Sequence, residues 1–125
     1  MWLNCLAVGI GGFFGATARY LLGLVPGYYY LNIPLGTMLI NIGGAFGIGL
    51  IAGAIPLDLL PIRTQLFLKT GLCGGFTTFS TFSLETVNLM EQGHWGLAGG
   101  YAMGSLLLCM LGVFVGKLVM THFAS

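Results

Sequence analysis

The sequence predicts an all-α membrane protein of four transmembrane helices, the third of which is broken near the middle of the membrane. Three observations lead to this prediction. The chain of 125 residues is 57% hydrophobic and 6% charged, whereas soluble domains have about 25% charged residues. Its apolar residues form four stretches of the length, about 20 residues, that crosses a hydrocarbon core of about 30 Å. The third stretch contains a glycine pair followed by five hydroxyl residues.

The predicted spans use nearly the whole chain, so residues 1–125 are expected to form a single four-helix transmembrane domain. Their bounds are Leu3–Leu24, Pro34–Ile55, Leu66–Leu89 and Trp95–Met120. Aromatic residues that favour the membrane interface stand near these ends, at Trp2, Tyr20, Tyr28 to Tyr30, Trp95 and Phe123. The first span lacks a basic leading region and a small-residue cleavage site, so we expect a permanent helix rather than a signal peptide.

The few charges bias the orientation of the chain only weakly. If the N-terminus and the second connection share a side, that side holds Arg63, Lys69 and Lys117, while Arg19 lies toward the other. A bias this small permits insertion in both directions. The net charge of +1 also provides no basic field for nucleic acid, so nucleic-acid binding is not expected.

Glycine is abundant, with 22 residues, and its spacing gives a reason for the abundance. Pairs four residues apart occur at Gly11/Gly15, Gly43/Gly47, Gly49/Gly53, Gly71/Gly75, Gly96/Gly100/Gly104 and Gly112/Gly116. Such pairs make a smooth stripe on a membrane helix and let two backbones approach closely. They predict dense packing within the subunit and a homo-oligomer, because four short helices alone make a small bundle.

The sequence contains no recognisable enzyme signature. The stretches "GIGGFFG" and "GVFVGK" lack the spacing of dinucleotide-binding and phosphate-binding loops. No Ser-His-Asp set or carboxylate pair is evident, and the widely spaced cysteines suggest neither a disulfide framework nor a metal site. Solvated roles are expected for Asp58, Glu91, His94 and His122, and apolar packing roles for Cys5, Cys73 and Cys109. We therefore predict that the chain is not an enzyme.

The stretch "GLCGGFTTFSTFSLE", residues 71–85, interrupts the third span. Gly74 and Gly75 weaken the helix at a depth where unpaired backbone groups cannot turn to water. A break at this depth must face protein or a polar cavity. Freed carbonyl groups there coordinate cations, and the N-terminal end of the resumed helix favours anions.

Hydroxyl groups and aromatic rings follow the glycine pair. The hydroxyl residues are Thr77, Thr78, Ser80, Thr81 and Ser83. At about 100° per residue, Phe79 and Phe82 point the same way and Ser80 and Ser83 form a neighbouring row. Ring edges are electropositive, so an edge-on row beside hydroxyl hydrogens suits an anion. The alternative is that the hydroxyls bond back to the preceding turn and the rings only pack.

Three further polar residues in or near the spans have alternative roles. Asn41 offers two amide hydrogens without an obvious local partner, as a pore donor or as a link between helices. Arg19 either snorkels to an interface or forms an anion-attracting vestibule. Glu85 either pairs with a basic group or borders a pathway. The residues alone leave these alternatives open.

Three blocks of the sequence resemble the small fluoride channels called Fluc or CrcB. They are "GGFFGATARY", "PLGTMLINIGGAFGIG" and "GLCGGFTTFSTFSLE", and the likeness spans nearly the whole chain. Phe76 stands where leucine is common in that family, a tolerable variant. The resemblance implies an antiparallel, dual-topology homodimer of oppositely inserted subunits in the bilayer, with two antiparallel fluoride pathways. It also implies passive, selective export of cytoplasmic fluoride across a bacterial-type inner membrane.

The resemblance also implies roles for particular residues. The family's phenylalanines at Phe79 and Phe82 line the pore edge-on, and its asparagine at Asn41 donates to fluoride. Its hydroxyl residues at Ser80, Thr81 and Ser83 continue a polar track. Its central sodium ion, Na+, is held by backbone carbonyls that correspond to Gly74 and Thr77, and its arginine at Arg19 lies toward the vestibule.

Two other classes of membrane protein compete with a fluoride channel. A small four-helix proton-coupled multidrug antiporter also inserts in both directions, but proton coupling would call for a buried carboxylate, and the first span has none. A non-transporting assembly subunit explains the glycine stripes but leaves the polar track without a role.

Overall fold

The computed structural model describes residues 1–124, which form helices joined by short connections without a β-strand. Helix α1 spans Trp2–Gly23, and α2 spans Leu35–Ala54. Helix α3 begins with an α-helical turn at Ile62–Gln65, continues as a π-helix at Leu66–Cys73 and closes with a turn at Gly74–Phe76. Helix α4 spans Phe79–Glu91, and α5 spans Trp95–Ala124. Helices occupy all four predicted stretches, with α3 and α4 together occupying the third.

The third span is broken, as predicted, but the break follows the glycine pair instead of lying on it. Thr77 and Thr78 are extended, with ψ angles of 156° and 123°, whereas the preceding turn through Gly75 is helical. The glycines have another role. A Cβ atom on Gly75 would lie 2.7 Å from the carbonyl oxygen of Gly12 in α1, so glycine lets the two backbones approach. Threonine is β-branched and tolerates the extended conformation well.

Close backbone contacts join the helices in two pairs, α1 with α3 and α2 with α5. A Cβ atom on Gly15 would overlap the carbonyl oxygen of Leu72 in α3. One on Gly116 would overlap the carbonyl oxygen of Phe46 in α2. The predicted dense packing is therefore present within the subunit. The glycines of the first turns of α5 have no such contact, because added Cβ atoms at Gly96, Gly99 and Gly100 would meet nothing within 4 Å.

Helices α1, α2 and α5 are each long and apolar enough to cross a membrane. Helix α4 has 13 residues, too few to cross about 30 Å of hydrocarbon alone. Helix α5 has 30 residues and continues to Ala124, beyond the predicted end at Met120. Its length of about 45 Å, at about 1.5 Å per residue, exceeds the hydrocarbon core.

The buried core lies where α4 and α5 meet, beneath the connection between α1 and α2. Leu89, Ala98 and Tyr101 are buried there, and Met38 and Phe82 pack against them. Large apolar side chains elsewhere on α1 and α5 are exposed, for example those of Phe13, Leu107 and Phe114. In a bilayer such faces meet lipid or another copy of the chain, and the polar residues concentrate around the break.

Candidate functional site

Asn41 of α2 takes over the backbone hydrogen bonds of the broken helix at Thr78. Its Nδ2 donates to the Thr78 carbonyl oxygen at 3.1 Å, and the Thr78 amide donates to its Oδ1 at 2.9 Å. A break inside a membrane needs such substitutes, because water is absent. An amide nitrogen carries two hydrogens, and only one has an acceptor within the described part of the chain, residues 1–124. Asn41 thus holds the break and retains one hydrogen for a further acceptor.

Thr78 also begins α4 as its N-cap. Its Oγ1 accepts from the Thr81 amide at 3.2 Å, the capping contact for which threonine is favoured. The same hydroxyl lies 3.2 Å from Thr81 Oγ1, to which it donates, and 3.3 Å from Ser80 Oγ. Thr81 is an acceptor in this contact, so its own hydroxyl hydrogen stays available.

The capping arrangement releases two backbone carbonyl groups, those of Gly74 and Thr77. In a continuous α-helix these would accept from the amides four residues later. The Thr78 amide is donated to Asn41 instead, and the Thr81 amide to the Thr78 hydroxyl. Freed carbonyls at a membrane-helix break are the groups that coordinate Na+ in other broken helices. The residues present therefore fit a backbone-built cation site.

The rings of Phe79 and Phe82 are neighbours on α4, as their spacing predicts. Their centroids are 5.6 Å apart with an interplanar angle of 41°. Phe82 is half-buried and packs on Tyr101 at 5.3 Å, whereas Phe79 is 80% exposed. Both rings line a cavity of about 300 Å³ together with Asn41 and Thr78. Three of the predicted pore residues thus share one cavity.

Ser105 of α5 lines the same cavity and was missed by the sequence reasoning. It is 4% exposed, and its hydroxyl has no hydrogen-bond partner among residues 1–124. A buried hydroxyl without a partner is costly and therefore uncommon. The only sequence signal was a single serine within an apolar span, which is too weak to separate a donor from a packing residue.

Arg19 lies beside the end of α3 and does not reach away from the protein. Its Nε donates to the Gly75 carbonyl oxygen at 3.1 Å. A positive charge at the C-terminal end of a helix is favourable, because the last carbonyls carry partial negative charge. Arg19 also lines a second cavity, of about 220 Å³, together with the hydroxyl-bearing residues Tyr28, Thr37 and Thr81. Thr78 lines both cavities and so lies where the two adjoin.

Ser80 and Ser83 lie outside these two cavities. Ser83 Oγ donates to the Phe79 carbonyl oxygen at 2.9 Å, the back-bonding considered as the alternative for these hydroxyls. Thr77 behaves in the same way, donating to the Cys73 carbonyl oxygen at 2.9 Å. The row predicted for Ser80 and Ser83 exists on α4, but the hydrogen of Ser83 is already used.

Glu85 is 6% exposed and is surrounded by hydroxyl donors. Its Oε2 accepts from Thr37 Oγ1 at 3.0 Å and from the Tyr29 hydroxyl at 3.2 Å. Its Oε1 accepts from the Tyr101 hydroxyl at 3.2 Å. These partners are hydroxyl groups rather than the basic group considered from the sequence. Sequence reasoning missed all three, because they lie 16 to 56 residues from Glu85 along the chain and leave no local pattern.

Comparison with known proteins places the chain in a family. The family described as CrcB-like protein, Camphor Resistance (CrcB), matches residues 6–117. A protein of Bordetella avium called fluoride-specific ion channel FluC is 46% identical over 125 residues, 94% of this chain and 95% of its own. Proteins of the same name from Ruminiclostridium cellulolyticum and Opitutus terrae are 44% and 42% identical over 98% and 90% of this chain and 96% and 89% of their own. The chain therefore belongs to the CrcB family.

Proposed function

We infer that this chain is a passive, fluoride-selective ion channel of the membrane. The observation that carries the inference is the cavity at the break, where an amide, an unpartnered hydroxyl and two phenylalanine rings meet without formal charge. The similar relatives are named fluoride-specific ion channels, and the chain matches them over nearly its whole length. A cavity with hydrogen-bearing but uncharged walls suits a small anion that must bind briefly and leave.

Fluoride is small and strongly hydrated, so a pore must replace the hydrogens of its water shell. The free amide hydrogen of Asn41 and the hydroxyl hydrogen of Ser105 are two such groups in the cavity. The edges of the Phe79 and Phe82 rings carry partial positive charge and contribute without a formal charge. Larger chloride would fit the same donors poorly.

We propose that the route continues along the hydroxyl track of Ser80, Thr81 and Ser83. Thr81 is the strongest member, because it borders the Arg19 cavity and its hydroxyl donates no hydrogen bond among residues 1–124. Ser83 is the weakest, because its hydrogen is held by the Phe79 carbonyl. The guanidinium of Arg19 would raise the local fluoride concentration in the vestibule by its charge.

We further propose that the channel is a homodimer of oppositely inserted copies with two pores. Phe79 is 80% exposed although it is a large apolar ring at the candidate site, and a second copy would cover it. Gly96 and Gly100 have open space beside them, as an intersubunit helix contact requires. The weak charge bias of the loops permits both orientations.

A sodium ion at the centre of the dimer is part of the same proposal. The carbonyl groups of Gly74 and Thr77 would hold it, and two carbonyls per copy are too few to surround a cation without the second copy. Bound Na+ would supply positive charge that fixes the two breaks against each other. Replacing Na+ by a bulky organic cation should reduce dimer stability, measured by thermal dissociation in detergent.

The physiological role that we propose is export of cytoplasmic fluoride across the inner membrane. Hydrogen fluoride crosses lipid as a neutral acid and dissociates inside a less acidic cell, where the anion is trapped. A passive selective pore releases the anion down its gradient and needs no energy source.

The experiment that tests the proposed function is anion efflux from liposomes containing the purified protein. Fluoride should leave rapidly once a counter-ion path is opened, and chloride should be retained. Equal release of the two anions, or no release of fluoride by folded protein, would contradict the proposal. A multidrug antiporter is not supported by the relatives, and it would require an organic cation and a pH gradient. An assembly subunit would pass neither anion.

A further inference from the structure

Two consecutive tyrosines of the α1–α2 connection, Tyr28 and Tyr29, each bond to one partner of the same buried hydrogen bond. That bond runs from Thr37 Oγ1 to Glu85 Oε2 at 3.0 Å. The Tyr28 hydroxyl bonds to Thr37 Oγ1, and the Tyr29 hydroxyl donates to Glu85 Oε2 at 3.2 Å. The connection is thus tied to α2 and to α4 through side chains.

A tight turn orders the chain directly after the tyrosine pair. Leu31 and Asn32 have left-handed backbone conformations, with φ angles of 53° and 68°. Tyr30 and Ile33 exchange two backbone hydrogen bonds of 2.9 Å across them. Left-handed φ is unfavourable for leucine, so the surrounding bonds must impose this turn. The connection is a defined structure rather than a slack linker.

Gly36 fixes the other side of the tyrosine pair. Its amide donates to the Tyr28 carbonyl oxygen at 2.8 Å. A Cβ atom at this position would overlap the ring of Tyr28, so the ring occupies the space that glycine leaves. The position of Tyr28, and therefore of Tyr29 beside it, is set by packing as well as by hydrogen bonds.

The hydrogen bond between Thr37 and Glu85 lies between residues that line two different cavities. Tyr28 and Thr37 line the Arg19 cavity of about 220 Å³. Tyr29 and Glu85 line another, of about 190 Å³, whose other residues include the polar Asn32, Asn88 and Gln92. Each member of the tyrosine pair therefore touches a different cavity. The Thr37–Glu85 hydrogen bond therefore joins the lining of one cavity to the lining of the other.

The groups around Glu85 are those that a passing anion would need. Its carboxylate accepts the hydroxyl hydrogens of Tyr29, Thr37 and Tyr101. A fluoride ion that crosses from one cavity to the other must take over some of these hydrogens. Partial burial and the neighbouring Glu85 raise the pKa of Tyr29 above its ordinary value. A raised pKa keeps the hydroxyl protonated, so Tyr29 remains a donor throughout the neutral range.

We propose that Tyr29 is a positioning residue: its hydrogen bond to Glu85, here called the latch, holds Glu85 against Thr37 and keeps the two cavities apart. Fluoride passes only when the latch opens, so the rate of this opening limits the rate of fluoride passage. The proposal rests on the proposed fluoride route for its effect on flux, but the latch itself is a matter of contact geometry. Loss of the Tyr29 hydroxyl should loosen Glu85 and leave the donors in the Asn41 cavity unchanged.

The test compares Tyr29→Phe with the matched control Tyr30→Phe. Each variant removes one hydroxyl from a ring that is 60% exposed, and only the Tyr29 hydroxyl bonds to Glu85. Both rings remain, so both variants should fold. Two quantities are measured in liposomes: fluoride efflux per folded protein, with chloride as reference, and labelling of Glu85 by dicyclohexylcarbodiimide, read by peptide mass spectrometry.

For Tyr29→Phe we expect Glu85 labelling and fluoride efflux both to rise, by about 3-fold to 10-fold, the range that one hydrogen bond supports. Chloride retention should persist, and Tyr30→Phe should match the wild type. Equal labelling in the two variants would overturn the latch. Raised labelling without faster efflux from a conducting protein would also overturn it, because the latch would not limit passage. If no variant passes fluoride, the proposed function fails, and labelling still decides whether Tyr29 holds Glu85.

Discussion

The contact between α2 and α5 differs from the break between α3 and α4 in how the backbone is stabilised. At the first, Gly116 places its backbone against the carbonyl of Phe46, and both helices keep their own hydrogen bonds. At the break, the series of helical backbone hydrogen bonds ends at Thr77. The Asn41 side chain replaces the backbone groups that would otherwise bond to the amide and carbonyl of Thr78. The α2–α5 contact is stabilised by close packing of two backbones, whereas the break is stable only because polar side chains bond to its backbone groups.

The difference teaches where function is located in a membrane chain with so few charges. The interior of a continuous helix has no unpaired backbone groups and presents none to an ion. A break must gather amides and hydroxyls around it, because each unsatisfied group in hydrocarbon costs several kcal/mol. The groups that keep the break stable are then available to bind an ion. We therefore expect substitutions at the break to change flux and those at the α2–α5 contact to change stability.

The largest effect on flux is expected for Asn41→Asp. A carboxylate cannot donate to the Thr78 carbonyl, and it places negative charge where an anion must pass. Loss of this bond, with an unsatisfied carbonyl and a negative charge in the path of the anion, should lower fluoride efflux about 100-fold. Efflux from liposomes at neutral pH measures the change. Asn4→Asp is the control. Asn4 lies away from the break and accepts a hydrogen bond from Arg63 through Oδ1, an oxygen that aspartate retains. Normal conduction by Asn41→Asp would remove Asn41 from the pore.

The next effect is expected for isoleucine at either ring. Phe79→Ile and Phe82→Ile keep an apolar side chain but remove the electropositive ring edge, which contributes about 1 kcal/mol per contact. Fluoride efflux should fall about fivefold or more, without loss of the proposed dimer in size-exclusion chromatography. Phe114→Ile, at an exposed ring of α5, should leave efflux unchanged. Unchanged efflux in both ring variants would refute the aromatic contribution.

A change at the continuous pair should affect a different quantity. In Gly116→Ala the added methyl group would overlap the Phe46 carbonyl, so α2 and α5 must separate. Overpacking of this kind costs about 1–3 kcal/mol. We expect a lower midpoint of thermal unfolding in detergent, with fluoride flux per folded protein preserved. Gly99→Ala has open space beside it within the subunit and serves as the control. Wild-type stability in Gly116→Ala would mean that this contact is looser than described.

The smallest effect is expected at Ser83. Its hydroxyl hydrogen is held by the Phe79 carbonyl, so Ser83→Ala removes a weak local bond rather than a free donor. Fluoride efflux should change by no more than about twofold, whereas Thr81→Ala should reduce it more. A tenfold loss in Ser83→Ala would show that this hydroxyl turns toward the anion during passage.

The sequence predicted the fold well because a membrane span leaves a long apolar signal. Apolar length located the four stretches that form helices, and the glycine spacing indicated the close contacts of Gly15 and Gly116. The break was predicted from the glycine pair but lies at Thr77 and Thr78. Sequence alone could not separate a glycine that weakens a helix from a glycine that admits a neighbouring backbone.

The candidate site was predicted in part, and what was missed has a common cause. Asn41 and the ring pair stood out because they are unusual within apolar stretches. Glu85 stood out also, but its hydroxyl partners come from the connection after α1, from α2 and from α5. Contacts between residues far apart in the chain leave no local pattern. Ser105 was missed for the same reason.

The central claim is that the break conducts the ion and that the glycine contact stabilises the fold. Its most direct test compares Phe82→Ile with Gly116→Ala. Fluoride efflux per folded protein is measured for both in the same liposomes. The account predicts that Phe82→Ile loses efflux while Gly116→Ala keeps the wild-type value. Full efflux in Phe82→Ile together with loss of efflux in Gly116→Ala would contradict it.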